Sequence, residues 1–147
     1  MEFSFVETNR HLRPGIAGWE LPVDGTSVTQ VRVDFAVTLI FTVDRFSCSV
    51  RVTNDFDLAT GESVRRFATD KPTDLGPMMA LLGSEVRFAL AHSTGALTIE
   101  FADGQRLLTS AHPTYEAWEF ESSLGARIVS MPGGELAIWS EETRSLN

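Results

Sequence analysis

A chain of 147 residues, 43% of them hydrophobic, has the size of one ordinary domain with one core. Its formal net charge of −8 argues against nucleic acid or an anionic membrane surface, since both are gripped through clustered Lys and Arg. Cys48 is the one cysteine, which excludes an intrachain disulfide and a closed zinc site built on thiolates.

The longest apolar run, Phe35 to Val43, is broken by Thr38 and Thr42 and is too short to span a bilayer. The opening MEFSFVETNRH carries acidic residues where a signal peptide carries basic ones, which predicts a cytoplasmic protein. Residues 1–22 form an irregular segment in which Phe3, Phe5 and Val6 can make a short edge strand and Trp19 pins down a stretch marked by Pro14-Gly15, Gly18 and Pro22. Residues 23–139 read as a single β-rich domain, and 140–147 as a polar, frayed tail.

Val23-Asp24-Gly25-Thr26 is a turn. From Val31 the odd positions Val31, Val33, Phe35, Val37, Leu39 and Phe41 are all apolar, the period of one long strand with a buried face. Phe46, Cys48, Val50 and Val52 continue with switched parity, so a loop at Val43 to Arg45 should reverse the chain into a hairpin, with Cys48 as a small buried apolar residue. Phe56 and Leu58, a Thr60-Gly61 turn and a short strand at Ser63 to Phe67 follow. In KPTDLGPMMALLG, Thr73 or Asp74 can cap a helix near 74–82, Pro77 fits its first turn, and Gly83 suits its end.

Val86, Phe88 and Leu90 alternate into a Ser93-Thr94-Gly95 turn, and Leu97, Ile99 and Phe101 lead to Asp103-Gly104, a strong type I′ hairpin signal. The chain returns through Gln105 to Ser110, and after Pro113 Trp118 and Phe120 alternate with Glu119 and Glu121. Gly125 and Pro132-Gly133-Gly134 then punctuate two last strands, ending at Leu136 to Trp139. The count predicts a mainly β (α+β) protein: an antiparallel meander of about nine or ten strands forming a sandwich or partly open barrel, with one short helix. The expected core holds Val33, Phe35, Val37, Leu39, Val50, Phe88, Leu97, Ile99, Phe101 and Ile138.

Local chemistry is sparse. His11, His92 and His112 show neither i, i+4 nor i, i+2 spacing, so no metal motif is present, and Asp55 and Asp57 in NDFDLATGE lack the remaining ligands of a calcium loop. No serine sits in a nucleophile elbow, no glycine-rich phosphate loop opens a helix, and Cys48 has no basic neighbour to activate it. No cofactor is implied. What stands out is an aromatic and acidic cluster, Tyr115, Glu116, Trp118, Glu119, Glu121 and Trp139, within a stretch where eight acidic residues from position 100 onward face three basic ones. In one reading the aromatics are core or edge residues and the glutamates a solvated strand face. In the other, the cluster is an interaction surface for a basic protein partner.

VRVDFAVTLIF, GALTIEFADGQRLL and YEAWEFESSLGARIVSMPGGELAIW together resemble a family of small actinobacterial proteins of unknown function, over about residues 23–139. The resemblance implies no activity, cofactor or catalytic residue. A looser similarity connects small acidic β-rich proteins with the immunity proteins of bacterial toxin systems. The leading expectation is therefore a protein-interaction module, in its narrower form an immunity-type inhibitor of a toxin. The alternative is a small-ligand-binding barrel or an enzyme with a site assembled from distant residues. Self-association is left open by the sequence.

Overall fold

A computed structural model describes residues 10–140 of the chain. The expected strand at Phe3 to Val6 and most of the polar tail lie outside the described residues. Thirteen strands run in order: β1 (Arg13–Pro14), β2 (Gly18–Glu20), β3 (Ser27–Val33), β4 (Val37–Val43), β5 (Phe46–Val52), β6 (Phe56–Thr60), β7 (Ser63–Phe67), β8 (Val86–His92), β9 (Leu97–Phe101), β10 (Arg106–Thr109), β11 (Trp118–Ser122), β12 (Arg127–Ser130) and β13 (Leu136–Trp139). They form two antiparallel sheets, one ordered β1-β2-β8-β9-β10-β6-β7 and the other β13-β12-β11-β5-β4-β3. Among the described residues neither sheet closes into a barrel, and the apolar faces of both share one core that includes Leu39, Phe41, Val50, Trp118 and Phe120 from one sheet and Phe56, Ile99, Phe101 and Leu107 from the other.

The run from Val31 to Phe41 is two strands, not one. The chain reverses at Asp34 to Ala36, where the Asp34 amide donates to the Ala36 carbonyl at 3.1 Å, and Val33 pairs with Val37. The alternation survives the turn because three residues lie between Val33 and its partner Val37, so odd positions on both strands share one face and Val31 and Val33 still pack against the core. The bulge between Val28 and Gln30 switches the parity upstream, where Val28 is the buried residue. Phe35 sits at the tip instead of in the core, 72% exposed. The neighbouring hairpin runs as expected, with Val43 opposite Phe46 and Asp44 in the left-handed region at φ 52°.

The helix is a 3-10 segment, Pro72–Leu81, with no side-chain cap from Thr73 or Asp74. Pro77 lacks the N–H an α-helical ladder needs and its ring crowds the carbonyl one turn back, so the segment winds in short i+3 steps, as from Asp74 to Lys71 at 3.0 Å. Leu75, Met78 and Leu81 face the core. Leu82 is already extended, and Gly83 at φ 86° returns the chain to β3 by donating to the Val28 carbonyl at 2.8 Å. At the other correction, Asp103-Gly104, only the glycine has positive φ, so the turn is not type I′. Asp103 accepts from the Gln105 amide at 3.0 Å, and this side-chain bond replaces the second left-handed residue.

Part of the stretch before residue 22 is regular: β1 and β2 extend one sheet, Trp19 opposite Ala91, with Leu12 and Leu21 buried. Gly18 lies so close to the Ala91 carbonyl that a Cβ there would stand 2.0 Å from its oxygen. Phe88 and Ile138, expected in the core, are only half-buried, whereas Val37, Leu39, Val50, Leu97, Ile99 and Phe101 are buried.

Candidate functional site

Three connections meet at one end of the molecule: the crossing from β5 to β6, the exit from β7, and the long link from β10 to β11. Threonine and asparagine side chains tie them together, as these residue types do when they satisfy backbone groups in irregular chain. Thr69 Oγ1 donates to the Thr53 carbonyl at 2.7 Å, and Thr53 Oγ1 points at the Glu116 carbonyl at 2.6 Å and that of Ala117 at 3.0 Å. Asn54 Nδ2 donates to the Ser110 carbonyl at 2.9 Å, and Thr109 Oγ1 to that of Asp55 at 2.9 Å.

Above this braced floor opens a cleft of about 860 Å³ lined by Phe35, Thr53, Asp55, Thr69, Asp70, Tyr115, Glu116 and Pro132. Tyr115, 43% exposed, lies flat on His112 with ring centroids 3.6 Å apart, and its hydroxyl reaches Asn54 Oδ1 at 3.3 Å. No basic side chain lines the cleft, and among the described residues none of its three carboxylates, Asp55, Asp70 and Glu116, forms an ion pair. The chemistry on offer is a negative field beside two aromatic rings, which attracts cations twice over, by charge and by ring quadrupole.

The six residues singled out in the sequence do not form one surface. Tyr115 and Glu116 line the cleft. Trp118 is buried at 1% exposure, and its Nε1 donates to the Gly95 carbonyl at 2.8 Å. Glu119, Glu121 and Trp139 gather around Arg127 on the outer face of the six-stranded sheet. Arg127 Nη2 donates to Glu119 Oε2 at 2.8 Å, its Nε lies 3.6 Å from Glu121 Oε1 without a hydrogen-bond partner, and the guanidinium sits 5.3 Å from the Trp139 ring centroid. The Glu119 hydrogen bond, more than any other contact, holds the Arg127 pKa above its ordinary value. These two glutamates are already engaged. Phe35, Asp55 and Asp70 complete the cleft from three distant segments, and no local pattern unites them with Tyr115.

The histidines are dispersed: His92 Nε2 is 2.8 Å from Thr98 Oγ1, and His112 Nδ1 accepts from the Thr114 amide at 3.1 Å. Among the described residues no three His, Cys, Asp or Glu side chains converge on a metal position. Burial pushes the Cys48 thiol up to about 12, so it is held as the unreactive thiol. No helix among the described residues is long and apolar enough to cross a membrane.

Fold and site together define a small two-sheet antiparallel β protein with a braced, acidic and aromatic cleft at one end. The chain belongs to a family of unknown function (DUF6188), whose model matches residues 19–140, a span that starts within β2 and takes in every cleft residue. Neither the curated proteins nor the solved structures yield a match.

Proposed function

We propose that this protein is an interaction module that receives a basic side chain of a protein partner in the end cleft. The observation that carries the reading is the set of carboxylates Asp55, Asp70 and Glu116, none in an ion pair among the described residues, beside the exposed rings of Phe35 and Tyr115. A guanidinium or ammonium group entering there replaces water with carboxylate and aromatic contacts, while the braced floor spares the cost of ordering the loops. The actinobacterial affiliation and the narrower role of immunity-type inhibitor belong to the same proposal. Inhibition needs only a rigid scaffold of complementary charge, which the cleft supplies. A cytoplasmic setting fits the buried thiol of Cys48.

The cleft volume also falls within the range of small-molecule sites, roughly 300 to 1,000 Å³, which favours a small organic cation as the second reading. Capture from the native host tests both. The wild-type protein should retain a partner that is basic at its docking surface, and the exposed double reversal Asp70→Lys/Glu116→Lys should lose it, chiefly through slower association at low salt. Equal retention by the two baits would remove the cleft as the recognition surface. A thermal shift with small organic cations, lost in the same variant, would move the assignment to the second reading.

A further inference from the structure

The two sheets present four outer strands, and they are protected unequally. β1 is two residues long and contains Pro14, which cannot donate to an added strand. β3 is covered at its first two residues by the segment after the helix, where the Val28 amide donates to the Ser84 carbonyl at 2.9 Å and Ser27 bridges to Glu85, and the bulge between Val28 and Gln30 breaks the regularity of its edge. β13 leads directly into residues beyond those described. β7 is different. It pairs with β6 over five consecutive residues without a bulge, from Ser63 opposite Thr60 to Phe67 opposite Phe56. Among the described residues no backbone group outside that ladder bonds to it.

Its side chains leave that edge open. Ser63 to Arg66 are exposed, Val64 at 65%. Both arginines lie back on their own sheet: Arg66 Nη1 is 3.3 Å from Asp57 Oδ1 on β6, and the Arg65 guanidinium is 5.0 Å from the Phe67 ring centroid. Charge then selects the occupant. A second copy pairing antiparallel about Arg65 sets two arginines opposite each other between chains of −8 each, which is repulsive at both scales. A segment bearing carboxylates meets the reverse situation: Arg65, which forms no ion pair among the described residues, can grip a carboxylate as a forked donor, and Arg66, already paired with Asp57, adds positive charge beside it.

We propose that β7 is an acceptor edge for an extended, carboxylate-bearing segment of a protein partner, which joins the seven-stranded sheet as an eighth strand. This surface is separate from the end cleft and takes the opposite charge. Main-chain hydrogen bonds supply the affinity, Val64 an apolar contact, and the arginines the sign of the partner. The probe is a blocked hexapeptide alternating glutamate with valine and threonine, set against its counterpart with lysine for glutamate. Hydrogen exchange of the wild-type protein should show alternate amides within residues 63–67 protected about tenfold more by the glutamate peptide than by the lysine peptide. Arg65→Glu/Arg66→Glu should invert that preference. Equal effects of the two peptides, absence of protection at β7, or protection that appears with protein concentration alone would each overturn the proposal, the last by assigning the edge to a second copy.

Discussion

Gly95 and Gly104 have the same backbone angle, φ 93°, and opposite surroundings, so the pair separates two costs that usually travel together. A Cβ at Gly104 meets nothing within 4 Å, whereas one at Gly95 would stand 2.5 Å from Gly134 Cα and 2.6 Å from its carbonyl oxygen. Gly104→Ala should therefore cost about 1 kcal/mol, the price of a left-handed alanine. Gly95→Ala should cost at least about 2 kcal/mol more, because the touching atoms are backbone and cannot swing aside. Urea midpoints of the two variants check this, and equal shifts would mean that the two turns separate freely. Cys48 gives a second residue-scale prediction. Its folded pKa, raised to about 12 by desolvation, lies above the ordinary value of 9.0, so the unfolded chain releases the proton first. The contribution is fully present below pH 9 and is lost as pH climbs toward 12, at roughly 1.4 kcal/mol per pH unit. The stability difference between wild type and Cys48→Ala should shift in the variant's favour by that slope, and a flat difference would mean that the thiol ionises in place.

At the scale of elements, periodicity reveals which residues alternate but not where the chain turns. Hairpins closed by glycine are legible because the turn chemistry is local: β6 to β7 at Gly61, β11 to β12 at Gly125, β12 to β13 at Gly133-Gly134. The β3 to β4 turn uses Asp34-Phe35-Ala36, which carries no glycine, proline or asparagine, and its three-residue length between the paired Val33 and Val37 keeps the apolar parity running through it. The same blind spot hid β1 and β2, which are too short for an alternation to register. Two substitutions separate the strand centre from the turn tip. Ile99→Ala, fully buried in β9, should destabilise by about 2 to 4 kcal/mol through the cavity it leaves. Phe35→Ser should stay within about 0.5 kcal/mol of wild type, and a larger loss in chemical denaturation would return Phe35 to the core.

Across the whole molecule, the sheets were easier to read than the site because a strand is coded by its own residues and a cleft by the topology that gathers others. Tyr115 and Glu116 were visible as an aromatic beside an acid, but Asp55 and Asp70 join them only once β6 and β7 lie against the β10 to β11 link. Glu119 and Glu121 carried the same local signal, and Arg127 on the adjacent strand neutralises it, a pairing that depends on the register of Glu121 opposite Arg127. One contact has consequences for how the chain is made. The Gly95 carbonyl accepts from both Trp118 Nε1 and Ser130 Oγ at 2.8 Å, and Gly134 rests against the same turn, so the β8 to β9 turn of one sheet is clasped by the last strands of the other. A nascent chain can pair β8, β9 and β10 as they emerge, but the indole of Trp118 and the turn at Gly134 must leave the ribosome before the sheets lock. Until then the apolar faces stay open, and the segment from Trp118 to Gly134 acts as the latch that ends the chain's exposure to aggregation during synthesis.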